Sequence, residues 1–198
     1  SNLKYEITDI THEEYPFLRR IRALWDVGDQ VKVGDLGGFV ESESNLATDP
    51  SDGAWIFDDA IAAGNAYVDM GSYLRKNAVA CGNAYVSRGS VLSNHAHAED
   101  DAYLRGAVVH GSARVSGCAQ IISAPNQFGT PLLSGHCQVY GSVRGDVRVT
   151  GTAVILPGEE ILNDTKDTFV LTGTGRSVIR GRDRERLAPS RTPPAKEK

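Results

Sequence analysis

The stretch AWIFDDAIAAGNAYVDMGSYLRKNAVACGNAYVSRGSVLSNHAHAEDDAYL, residues 54–104, decides the fold. Read in sixes, it sets Ile56, Ala62, Val68, Leu74, Ala80, Val86, Leu92, Ala98 and Leu104 at one strict spacing. Four residues after each stands a second series: Ala60, Ala66, Ser72, Ala78, Ala84, Ser90, Ala96, Ala102 and then Val108. Turn formers fill the gaps, among them Asp58-Asp59, Gly64-Asn65, Gly82-Asn83, Asn94-His95 and Asp100-Asp101. One residue is then dropped, and the pattern resumes at Val109, Val115 and Ile121, with Ala113 and Ala119 in the small places.

A spacing of six fits neither the helical period nor the alternation of an ordinary sheet. It fits a parallel β-helix, in which each six residues give one short strand and one corner. Three such units close a triangular coil of about 18 residues. The large residue points inward from the flat, and the small one fits inside the corner. The residues before it must turn sharply, which Gly, Asn and Asp tolerate best. The expected fold is therefore all-β, a left-handed parallel β-helix with an N-terminal β cap and a C-terminal hairpin.

Adding one coil length gives the stacking. Ile56, Leu74, Leu92 and Val109 form one inner ladder; Ala62, Ala80, Ala98 and Val115 the second; Val68, Val86, Leu104 and Ile121 the third. The residue before each points outward. The first outer face then shows Trp55, Tyr73 and Val91; the second Ile61, Val79, His97 and Arg114; the third Tyr67, Tyr85, Tyr103 and Gln120. The third set is a tyrosine ladder.

The regular coils do not cover the whole chain of 198 residues. Residues 1–53 read as an N-terminal cap segment. A solenoid needs one, because its end coil exposes unpaired strand edges. Within it, 17–25 is expected as strand, Val31 to Val40 as strand–turn–strand, and Asn45 to Gly53 as a polar loop. The β-helix is expected over 54–165, with five to six coils and an inserted loop at 123–136 that carries Pro125 and Pro131. The pattern returns at Cys137, Val143, Val149, Ile155 and Ile161, with Gly141, Val147 and Ala153 in the small places. Residues 166–182 read as a hairpin and 183–198 as a disordered tail.

Charge is uneven. The net charge is -4. From Arg176 onward eight Lys/Arg face three acids, about +5, so the remainder carries about -9. An acidic body argues against a duplex DNA binder. No apolar run approaches the roughly 18 residues a membrane span needs, and no signal-peptide pattern opens the chain. Three widely spaced cysteines without a CxxC suggest a reduced, cytoplasmic protein. The register points Cys137 inward and Cys81 outward, with Cys118 on a corner.

At GDLGGFVESESNLA (34–47), AWIFDDA (54–60) and the GNAYV repeats (64–68 and 82–86), the chain resembles the YdcK-type hexapeptide-repeat proteins of bacteria and their phages. The resemblance covers roughly residues 17–122. It implies the left-handed helix and a trimeric assembly, and carries the family's usual label of acyltransferase. Fold alone does not give function. Such acyltransferases use a histidine as general base between subunits, to deprotonate the acceptor that attacks an acyl-CoA thioester. On that reading His110, after the dropped residue, and His136, closing the loop, are the candidates. Neither has an acidic partner at a fixed spacing. The His95-Ala96-His97 pair suggests no metal, since neighbouring positions point in different directions.

The favoured site is the tyrosine ladder. Three exposed rings form a flat strip that can stack a planar group, each ring contributing about 1–3 kcal/mol. Arg105 lies on the same face and Arg88 at an adjoining corner, which suits an anionic, nucleotide-like ligand. On the second face Ile61, Ala63, Val79 and Cys81 make an apolar wall better matched to a partner chain than to water. The expectation is a non-enzymatic homo-oligomer, trimer or dimer, that holds a small anionic ligand or a partner protein and needs no cofactor. The alternatives are a CoA-dependent acyltransferase and a structural or assembly module.

Overall fold

The computed structural model describes residues 1–125 and 129–181. The tail expected at 183–198 lies outside them. The described chain is a β-solenoid of about seven turns, built almost wholly of two- and three-residue parallel strands. The inner ladders stack as their spacing requires. Ile56, Leu74, Leu92 and Val109 pair in sequence, as do Ala62, Ala80, Ala98 and Val115, and Val68, Val86, Leu104 and Ile121. All twelve are buried to the last few percent, and together they form one continuous core. The three inner columns are wide, narrow and wide, because the second begins with three alanines.

The irregular coils depart from the expected register. At the dropped residue the corner slot holds Ala107, not Val108: Val108 faces outward and pairs with Val91. After the loop the solenoid resumes at Leu132, not at Cys137. Leu133 stacks on Val109 and Val139 on Val115, so the interruption is shorter than 123–136. Cys137 is buried, but it occupies the small corner slot next to Gln138, in line with Ala113. Two more residues are dropped before Val143, which stacks on Ile121. The corner there tightens, and Gly141 fills its small slot. A Cβ at Gly141 would meet the backbone oxygen of Leu156 at 2.6 Å. Turns are also gained at both ends, which raises the count above the five or six expected. Val40 and Leu46 already pair with Ala62 and Val68, and Leu171 stacks on Val149.

The N-terminal segment forms an antiparallel meander of β1 (Tyr5–Thr11), β2 (Arg19–Ala23) and β3 (Leu36–Val40). The free edge of β3 runs parallel to Ile61–Ala62, so the meander extends the second face. Along the solenoid each coil donates amides to carbonyls of the next, as Trp55 N does to Ser72 O. The carbonyls of the first coil therefore have no coil to serve them. Side chains do it instead. Lys4 Nζ donates to Ala47 O at 3.0 Å and Ala54 O at 2.7 Å. Tyr5 Oη donates to Leu46 O at 2.8 Å, and, one coil on, Asn45 Nδ2 donates to Ala66 O at 2.8 Å. Tyr5 also packs edge-on against Trp55, with ring centroids 6.3 Å apart. That contact helps bury a tryptophan whose register faces outward. At the other end Thr168–Leu171 adds the last parallel strand, and Arg176–Ile179 folds back on it antiparallel.

Candidate functional site

The third face carries the tyrosine column. Parallel pairing sets Tyr67 on Tyr85 and Tyr85 on Tyr103. Ring centroids are 5.8 Å and 5.4 Å apart, the spacing of offset stacking. One position further along each strand pair, the side chains again face outward and make a second column: Asp69, Ser87, Arg105, Ile122 and Arg144. Its two ends differ in charge. Asp69 is nearly buried and accepts from Tyr85 Oη at 2.7 Å and Ser87 Oγ at 2.5 Å. Burial raises the Tyr67 phenol above its ordinary pKa, with the Asp69 charge adding to it. The Tyr85 phenol is raised too, chiefly by burial; the Ser87 hydrogen bond opposes this and Asp69 adds to it. The Tyr67 end of the face is thus acidic and internally satisfied.

The Tyr103 end is basic. Arg105 and Arg144 project from the same column with Ile122 between them. Arg88 stands at the adjoining corner with φ of 52°, a left-handed turn that throws its side chain outward. These three arginines, with Ile122, Ser123, Ala124 and Pro125, line an open hollow of about 440 Å³ where the irregular loop leaves the third face. All three are exposed, and none of their side chains makes a hydrogen bond or ion pair among the described residues. A second hollow, about 600 Å³, lies across Ala124 and Pro125. It shares Arg144 and adds Lys166, with Asp164 opposing them. Arg144 was missing from the expected site. Its signal was present, since it follows the inward Val143 as Arg105 follows Leu104, but the interrupted register between them hid the alignment.

The candidate histidines sit apart from this hollow. His110 is half-buried and continues the first-face strand, its amide on Leu133 O. His136 is exposed at a corner, its amide on Gly151 O. Neither ring has a side-chain partner among the described residues. On the second face Ile61, Ala63, Val79 and Cys81 line up as the register requires, all half-buried. The wall is less apolar than expected further along, because Cys81 meets His97 and Glu99 at its edge. Among the described residues no helix is long and apolar enough to cross a membrane. No family model matches the chain, and neither the curated proteins nor the solved structures hold a significant match.

Proposed function

We propose that this solenoid is a non-enzymatic binding protein whose third face holds a small, planar, anionic ligand of the nucleotide kind. One observation carries the reading: Arg88, Arg105 and Arg144 converge on a single hollow, unpaired, beside the last ring of a tyrosine column. A guanidinium without a carboxylate partner is free to take a phosphate in a bidentate contact. A stacked ring supplies a platform for a base at little cost in entropy. The acidic Asp69 end would repel an anion, so the ligand is placed at Tyr103, with the ring on one side and the arginines on the other.

The rest of the assignment follows the sequence resemblance. The chain is taken as a YdcK-type hexapeptide-repeat protein, cytoplasmic, with relatives in phages, and as a homo-oligomer joined through the wall of Ile61, Ala63 and Val79 with Cys81 at its edge. The acyltransferase label is placed second for one reason. His110 and His136 have no orienting side chain within the described chain, so the enzyme reading, kept as the alternative, would need one from a neighbouring subunit.

Isothermal titration against mono-, di- and cyclic nucleotides, acyl-CoAs and free CoA tests this. A nucleotide should bind, more weakly as salt rises, and Arg105→Ala with Arg144→Ala should lower its affinity at least tenfold. Binding of an acyl-CoA that His110→Ala or His136→Ala renders unproductive would return the enzyme. No heat with either panel would leave a protein partner or a scaffold role.

A further inference from the structure

Outside that hollow, the second outer face gathers three side chains of different ligating chemistry. Val79 pairs with His97 across adjacent coils, which brings Cys81 and Glu99 onto the same outer surface. Ala80 and Ala98 between them turn inward. Cys81 Sγ lies 3.8 Å from His97 Nε2, and His97 Nε2 lies 3.7 Å from Glu99 Oε2. All three donor atoms fall within 4.8 Å of one another. The structure assigns this cluster as a site for a divalent transition-metal ion of the zinc type.

The distances fit. With Zn–S near 2.3 Å and Zn–N and Zn–O near 2.0–2.1 Å, tetrahedral angles put S···N at about 3.6 Å and N···O at about 3.3 Å. The S···N and N···O separations need to contract by only a few tenths of an ångström, and the S···O separation, within 4.8 Å, has about 3.6 Å as its tetrahedral value. Thiolate, imidazole and carboxylate together favour zinc, cobalt or copper over magnesium or calcium, which take oxygen alone.

The surroundings hold the ligands in place. Glu99 Oε1 accepts from Arg114 at 2.9 Å and from Ser116 Oγ at 2.8 Å, which leaves Oε2 turned towards the imidazole. Outer partners of this kind orient a ligating carboxylate. His97 and Glu99 side chains are 25% and 26% exposed, enough to admit an ion and little enough to fix their rotamers. One cation, one thiolate and one carboxylate sum to zero, so the Arg114 charge alongside is tolerable. Only three ligands come from the chain. The fourth position opens outward and takes water, as open zinc sites do.

A linear reading misses the site, because its members come from two coils and no Cys or His spacing marks it. The expectation of no metal weighed only His95 with His97. His95 is exposed at a corner and outside the cluster.

The test is titration of the full chain with Co²⁺ as a spectroscopic stand-in, followed by displacement with Zn²⁺. The expected result is a thiolate-to-cobalt charge-transfer band with intense tetrahedral d–d absorption, saturating at one ion per chain. Cys81→Ser should abolish the charge-transfer band, and His97→Ala should weaken binding at least tenfold. Cys118→Ser should change nothing. Should Cys81→Ser fold poorly by circular dichroism, Glu99→Gln serves in its place, with at least tenfold weaker binding expected. No charge-transfer band in the wild type, a band that survives Cys81→Ser, or Co²⁺ affinity unchanged in His97→Ala or Glu99→Gln would overturn the assignment. The Arg105→Ala, Arg144→Ala variant should bind Co²⁺ normally, which keeps this site separate from the anion hollow.

Discussion

Tyr85 Oη donates a 2.7 Å hydrogen bond to Asp69 Oδ2, a carboxylate of the preceding coil that is only 9% exposed. Ser87 satisfies the other oxygen. One carboxylate thus fastens two positions of the coil stacked on it. Replacing Asp69 by Ala would leave the buried Ser87 hydroxyl and the Tyr85 hydroxyl with only their long 3.4 Å contact to each other, at a cost of about 2 kcal/mol. Tyr85→Phe removes one bond and keeps the ring stack, costing about 1 kcal/mol. Urea unfolding should show both as lower midpoints with unchanged slope. Equal effects from the two variants would mean that Asp69 is not the shared anchor.

The two glycines of the GDLGGFV segment answer to space. A Cβ on Gly38 would lie 2.5 Å from Ala60 O and 2.7 Å from Ile56 Cγ2. Gly37 is similarly pressed by Ile56 O at 2.6 Å and Ile21 Cγ1 at 2.7 Å. These are backbone and core atoms that cannot step aside. Gly38→Ala should therefore destabilise the protein by about 2 kcal/mol, through loss of the β3 docking that starts the solenoid. Gly53→Ala, with nothing within 4 Å, is the matched control and should be nearly neutral. A Gly38→Ala variant as stable as that control would show that β3 can move away from the first coil.

How far the sequence carried the reading varies along the chain. Between Ile56 and Leu104 no residue is inserted or lost, so counting alone places every inward side chain, and the outward tyrosine column follows. Past Leu104 the count fails three times, at Ala107, at the loop and before Val143. Each failure moved a label: Val108 for Ala107, Cys137 for Leu133, and no label at all for Arg144. Pairing between coils, not spacing within them, sets the register there. Cys81, His97 and Glu99 lie inside the regular coils, where one coil length of 18 residues sets Glu99 on Cys81, so their proximity was legible by the same count. Lys4 was overlooked because a lone lysine near a terminus carries no pattern. It is buried only because the first coil offers it carbonyls that no preceding strand can use.

The corners divide into comfortable and strained positions. Asp58, Lys76, Asn94, Gly111, Gly135 and Gly151 occupy one column, all with φ between 54° and 64°. Glycine and Asn or Asp adopt this region readily, and lysine does not. The Lys76 amide is held there by Asp58 Oδ2 at 2.9 Å. Lys76→Gly should relieve about 1–2 kcal/mol of strain and give back about 0.5–1 kcal/mol in chain entropy. The expected outcome is a net gain of roughly 0.5–1 kcal/mol by urea unfolding, while Lys76→Ala gains nothing. If Lys76→Gly destabilised the protein instead, the lysine stem would be contributing packing that outweighs the strain.

Lys4 makes stability depend on pH with an uncommon sign. Burial lowers its pKa from 10.5 to about 8, partly offset by the charges of Asp52 and Asp49. Between pH 8 and 10.5 the unfolded chain therefore holds a proton that the folded chain has released, and stability rises with pH. Five groups act in the other direction: Cys81, Cys137, Tyr5, Tyr67 and Tyr85. Burial pushes Cys137 from 9.0 up to about 11 and raises Tyr5 above 10.0. Each keeps a proton in the folded state that the unfolded chain loses, so stability falls above pH 9. The clear window is pH 8 to 9. There the wild type should gain on Lys4→Met by about 1 kcal/mol, near the limit of 1.36 kcal/mol per pH unit set by one proton. Lys4→Met should also lie below the wild type by about 1–3 kcal/mol at pH 9, because Ala47 O and Ala54 O lose their donor. Asp52→Asn should move the window to lower pH, since it removes the nearest charge that favours the ammonium. Parallel stability profiles for the wild type and Lys4→Met from pH 7 to 9 would mean that the ammonium stays charged against the first coil, held by its two carbonyls alone.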